Sequence, residues 1–181
     1  MKHFAIILTL ALVSSLGAFA QVDQPFKKAP KGFEQIHILG VVPTESGHTV
    51  LLANVSSGKF IPMGVGSAEA LSIHMRLSEK KFERPLTHDL LESMMKEMGG
   101  ELVRVQVDSL KEGVFFGTLV VKKNGKLKRI DARPSDAIAL ALGVKKPIFV
   151  NTEVFAEASI DLEGMPTDSE PEDQSNPTMD L

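Results

Sequence analysis

The chain contains no cysteine, no tryptophan and no tyrosine, so phenylalanine supplies all of its aromatic rings. Without thiols there is no disulfide framework, no thiolate metal site and no thiol nucleophile. Without indole or phenol rings, a stacking platform for single-stranded nucleic acid is poorly supplied. The sequence also lacks a glycine-rich phosphate loop, a Gly-x-Ser-x-Gly elbow and a pair of histidines four apart with an intervening glutamate. No apolar run reaches the roughly 20 residues that a membrane-spanning helix needs.

What apolar length there is lies at the start. MKHFAIILTLALVSSLGAFA has a basic residue at Lys2, an apolar core from Phe4 to Leu16, and Ala18-Phe19-Ala20, the small-x-small pattern of a secretory cleavage site. Export to a periplasm or the medium is therefore expected, with maturation before Gln21 and, for want of a cysteine, no lipid anchor. The chain carries 20 basic and 23 acidic residues. The acids are unevenly spread: Glu163, Asp168, Glu170, Glu172, Asp173 and Asp180 lie in a terminal stretch with no base. The body that remains is close to neutral, which does not mark a nucleic-acid binder by charge alone. The expected organisation is a signal peptide over 1–20, a Pro/Lys/Gly-rich lead-in over 21–32, one domain over 33–160, and an acidic disordered tail over 161–181.

Within the domain, alternating patterns predict strands over 33–42, 49–55 and 60–65, with Ser56-Ser57-Gly58-Lys59 as a hairpin turn. Ser67 opens a helix with Ala70, Ile73, His74 and Leu77 on its packed face. A second helix follows Pro85-Leu86-Thr87, with Thr87 as its cap and Leu90, Leu91, Met94, Met95 and Met98 as its buried stripe; Gly99-Gly100 stops it. Val103, Val105 and Val107 then alternate with Arg104, Gln106 and Asp108. Lys111-Glu112-Gly113 and Asn124-Gly125 turn into strands 114–121 and 127–132. Ser135 to Leu142 forms a third helix ended by Gly143, followed by a strand over 147–150 and a last helical turn or two over 152–159. The order predicts an α+β fold with a largely antiparallel sheet and helices packed on it.

The chemistry-bearing candidates cluster at helix starts. In Arg133-Pro134-Ser135-Asp136, proline suits the first helical position, and a carboxylate in the first turn is favoured by the helix dipole. Capping thus explains every residue but Arg133. Asp131, two residues upstream on a strand, is placed to pair with Arg133 or to share an anion site with it. Among the histidines, His74 reads as packed, and His88, at a helix start beside Asp89, is the best acid–base candidate. Lys122, Lys123, Lys126, Lys128 and Arg129 share one hairpin, where they either guard a sheet edge or track phosphates. An echo links Arg84-Pro85, ahead of Asp89, with Arg133-Pro134, ahead of Asp136.

Three ordered segments, PMGVGSAEALSI, RPLTHDLLESMMKEMGG and DARPSDAIALALGVKKPIFV, resemble the bifunctional nuclease domain, a family described as acting on RNA and DNA. Gly66, Glu69 and Ala70 match in the first segment, and Arg84, Pro85, Thr87, His88 and Asp89 in the second. Asp131, Arg133, Pro134, Ser135 and Asp136 match in the third. The export signal and acidic tail depart from the family's usual intracellular form, and Phe149 stands where a hydroxylated ring is common. The resemblance implies a phosphodiester hydrolase of little sequence preference. Glu69, His88, Asp89 and Asp136 would be catalytic, with Arg84, Arg133, Lys122, Lys123 and Lys126 binding substrate. Glu69, Asp131 and Asp136 are candidate ligands for a divalent ion such as Mg or Mn. The competing expectation is a non-catalytic module that binds anions or nucleic acid, or assembles with its own copies. In either case no membrane anchor is expected, and a homo-oligomer is compatible with the sequence.

Overall fold

The structure, a computed structural model, describes residues 29–161. The expected signal peptide, most of the lead-in and all of the tail but its first residue lie outside the described residues. Twelve elements follow in order: β1 (Phe33–Thr44), β2 (Gly47–Asn54), β3 (Lys59–Val65), α1 (Ser67–Leu77), α2 (Thr87–Glu97), β4 (Gly100–Lys111), β5 (Val114–Lys123), β6 (Lys126–Ala132), α3 (Pro134–Gly143), β7 (Ile148–Asn151), α4 (Thr152–Ala158) and β8 (Ile160–Asp161).

The strands form one eight-stranded sheet in the order β6-β5-β4-β7-β1-β2-β3-β8. Every pairing is antiparallel except that of β4 with β7, so the α+β expectation holds. Strand β1 is the joint. Its residues Phe33 to Ile36 pair with β7, and from His37 onward it pairs with β2, with a register shift between Ile38 and Gly40. The Asn124-Gly125 turn has both residues in the left-handed region, at φ 51° and 74°, as a tight two-residue hairpin requires.

Helix α3 is buried nearly all round: Ala137 to Ala141 are each at most 2% exposed. Its small side chains let α1, α2 and strands β4 and β5 all approach it. That contact makes α3 the centre on which the other helix starts converge. Its Gly143 does not end it by a left-handed turn; Lys145 takes that conformation, at φ 52°. Gly143 instead lies where a Cβ would overlap Glu92 and Arg76.

Three packing expectations are corrected. In β4 a register shift between Leu102 and Arg104 puts Leu102, not Val103, into the core beside Val105 and Val107. In α1 the inward arc is Glu69, Ala70, Ser72 and Ile73, and His74 is exposed rather than packed. In α2, Leu90, Leu91, Met94 and Met98 are between 44% and 63% exposed, and of the expected stripe only Met95 packs against the core. The polar residues of α2 that turn inward are His88, Asp89 and Glu92. Each finds a charged or polar partner on α1 or α3. Apolar periodicity locates a stripe but not what opposes it, and here the polar stripe has the partners.

Candidate active site at three helix entrances

The first turns of α1, α2 and α3 meet. Their N-caps are Gly66, Leu86 and Arg133, all extended in backbone. Glu69, Asp89 and Asp136 therefore occupy the same third helical position of their three helices. An acid there complements the positive end of the dipole and can reach back to the cap. Asp89 does so, accepting the Leu86 N–H at 2.8 Å. Thr87, expected as the cap, is the first helical residue instead.

Glu69 and Asp136 use the position differently. Arg133 donates from Nε to Asp136 Oδ2 at 2.8 Å, and from Nη2 to Asp136 Oδ1 at 3.1 Å and Glu69 Oε1 at 2.5 Å. Asp136 Oδ1 also lies 3.1 Å from His88 Nε2. A continuous chain thus runs Glu69–Arg133–Asp136–His88 across the three entrances. His88 is buried, Glu69 nearly so, and the Arg133 side chain is 67% exposed. Arg133 makes these bonds through Nε and Nη2, and its exposed guanidinium can still donate to another acceptor.

The charges are mutually reinforced. Hydrogen bonds to Asp136 and then Glu69, with their negative charge, raise the Arg133 pKa further above its already high value. Burial of Asp136 opposes its ionisation. Hydrogen bonds from Arg133 and His88 and the attraction of both outweigh that and hold its carboxyl below the ordinary 3.8. A depressed carboxylate pKa contributes stability that is fully present above the unfolded value and is lost as pH falls through the folded one. We therefore expect the difference in urea midpoint between the parent and Asp136→Asn to be largest near neutrality. It should begin to shrink below pH 3.8 and close on further acidification.

A second chain braces the same entrances from behind. Arg76 of α1 donates to Asp89 at 2.9 Å, to Glu92 at 2.6 Å and to Ser72 at 3.0 Å. Its side chain is 8% exposed, and the close approach of Gly143 leaves room for the guanidinium against α3. Asp89 is thus bound to the α2 cap and to Arg76 rather than to the chain that holds His88. Sequence reasoning missed Arg76 and Glu92. Arg76 sits in a last helical turn, where a cation reads as a dipole partner, and nothing in its spacing points to α2.

The other candidates do not join the site. Asp131 pairs in register with Thr118 and is exposed. The expected Asp131–Arg133 pair is absent because Arg133 has left the strand to cap α3, and its guanidinium turns to Asp136 and Glu69. Arg84 is exposed, two residues ahead of the α2 cap, whereas Arg133 is itself a cap. The echo between the two Arg-Pro pairs is therefore not an equivalence of position. Lys122, Lys123 and Lys126 are exposed around the hairpin tip. Seven residues of strand separate Lys126 from Arg133, roughly 23 Å at about 3.3 Å per residue. Arg129 is committed to Gln106, Asp108 and Thr118.

The expected ion ligands Glu69, Asp131 and Asp136 are not gathered. Among the described residues no group of three His, Asp or Glu side chains is arranged to hold a metal ion. The two carboxylates that do meet share a guanidinium between them. A three-carboxylate ion site does not fit this arrangement.

Gly66 is required by proximity, not by backbone angle. Its φ of −70° suits any residue, but a Cβ there would overlap Glu69 Oε2. Gly66→Ala should leave the melting temperature within a few degrees while displacing the Glu69 carboxylate from Arg133. A crystal structure of the variant and its thermal unfolding test this, with the carboxylate displaced and the melting temperature nearly kept.

Residues 50–163 match the bifunctional nuclease domain. An uncharacterized protein of Mycobacterium tuberculosis, strain H37Rv, is 34% identical over 128 residues, covering 70% of this chain and 76% of its own. Bifunctional nuclease 2 and bifunctional nuclease 1 of Arabidopsis thaliana are each 26% identical over 117 residues, covering 62% of this chain and 36% of theirs. The three segments that build the helix entrances fall inside the matched region, and the chain belongs to the bifunctional nuclease domain family.

Proposed function

We propose that the protein is a nuclease that hydrolyses phosphodiester bonds of RNA and DNA with little sequence preference. The observation that carries this reading is the convergence of Glu69, His88, Arg133 and Asp136 from three helix starts in a member of this family. Three positive helix ends and an outward-facing guanidinium suit a phosphate. Asp136, accepting from His88 Nε2–H, keeps the ring proton on that nitrogen and leaves Nδ1 as the basic one. His88 then takes a proton from water as the water oxygen bonds to phosphorus, and returns it to the departing oxygen as the old P–O bond breaks. Glu69 holds Arg133 in place. Lys122, Lys123 and Lys126, some 20 Å away by strand length, draw the polyanion in without reading bases.

Purified protein should digest single- and double-stranded DNA and RNA, and Asp136→Asn and Glu69→Gln should each slow it. A chelator arm reports whether a divalent ion such as Mg or Mn contributes. The reading includes export, supported by the 1–20 leader, with external nucleic acid as substrate. A mature N-terminus at Gln21 in the periplasm or medium tests that part.

One observation favours a second reading, a non-catalytic anion-binding module: each carboxylate of the site is already paired. Nucleic-acid binding without turnover by the parent protein would select it.

A further inference from the structure

Helix α2 is amphipathic in the wrong sense for a helix on a globular domain. Its polar face, His88, Asp89 and Glu92, turns toward α1 and α3, and its apolar face, Leu90, Leu91, Met94 and Met98, turns to solvent. Contiguous exposed apolar residues of this size mark an interaction surface, and two of the four are methionines, which adapt to a facing surface. We propose that this face pairs with the same face of a second copy of the chain, α2 against α2, antiparallel about a two-fold axis near Leu91 and Met94.

Charge selects that occupant. The exposed ionic residue of α2 beside the stripe is Glu97; Lys96, four residues after Glu92, lies on the opposite side of the helix. An anionic lipid surface calls for a cationic excess along the polar flank, and a nucleic acid calls for the same; neither is present. A second copy is served by complementarity. Antiparallel pairing sets the negative end of each helix, with its Glu97, beside the positive end of the other, where an acid is favoured. An isologous contact then closes at two copies, because each patch is covered by its equal. The inference is independent of the catalytic reading, since it uses the face of α2 that points away from His88.

The chain has no cysteine, so an engineered thiol reports proximity without background. Sedimentation equilibrium of the purified protein across the micromolar range should give the mass of a dimer. Met94→Lys, at a position 51% exposed, should keep the folded circular dichroism and weaken association by about 100-fold or more. Met94→Cys should form a disulfide-linked dimer under mild oxidation. Val55→Cys, on an exposed turn residue far outside the stripe, should not. A parent protein that sediments as a monomer throughout overturns the proposal. So does a Met94→Lys protein that associates as strongly as the parent, or a Val55→Cys protein that cross-links as readily as Met94→Cys.

Discussion

His88→Ala is expected to lower the rate of phosphodiester cleavage by about 10²–10⁴-fold, the range spanned by a positioned general acid or base. The loss should fall on kcat, with KM little changed, because Arg133 and the helix ends that meet the phosphate remain. The ring also donates to Asp136, so its removal lets the Asp136 pKa rise toward the ordinary carboxylate value. His88→Gln separates the two effects: a side-chain amide can donate to Asp136 but cannot take a proton from water. A Gln variant as slow as the Ala variant assigns the loss to proton transfer. A Gln variant with parental rates would remove His88 from the chemistry and leave it a positioning residue.

The second large effect concerns stability. Arg76 is nearly enclosed and answers both Asp89 and Glu92. Arg76→Met keeps much of the volume but leaves two carboxylates without their cation. Breaking such a buried pair costs roughly 3–5 kcal/mol. Asp89 is 42% and Glu92 20% exposed, and water reaching them brings the expected loss to about 3 kcal/mol. For a domain of this size that is a fall of roughly 10 °C in Tm. Adding Glu92→Gln to Arg76→Met should recover part of the loss, since one of the stranded charges is then gone. Calorimetry of the three proteins measures this. A Tm for Arg76→Met within a degree or two of the parent would show that the brace between α1 and α2 contributes little.

These two clusters also mark how far the sequence could be read. The strands, the Asn124-Gly125 hairpin and the α+β class followed from alternation and turn chemistry, which are local. Local dipole logic also put Glu69, Asp89 and Asp136 in first turns. What it could not supply was the direction in which each turn faces. Arg133 looked able to pair with Asp131, because both were read as strand residues; the chain changes conformation at Arg133, and the partner becomes Asp136. The α2 stripe was legible as apolar but not as outward, because the groups that pull the helix round belong to Arg76, thirteen residues before Asp89, and to Asp136, forty-eight after His88. Glu69 and Arg133 are sixty-four residues apart. Contacts at such separations leave no period in the sequence, and the family resemblance, not spacing, brought these residues into one list.

The assignment to the family also gives the departures their meaning. Phe149 is 2% exposed, aligned across the sheet with Gln35 and Gln106. A ring without a hydroxyl is at home in that enclosed place.

On the proposed function, a phosphodiester reacts where the three helix starts meet. A crystal structure of the protein with a hydrolysis-resistant phosphorothioate dinucleotide tests it most directly. Non-bridging oxygens are expected within hydrogen-bond distance of the Arg133 guanidinium, with the scissile phosphorus facing His88. A dinucleotide held elsewhere, with Glu69, Arg133, Asp136 and His88 untouched, would contradict it.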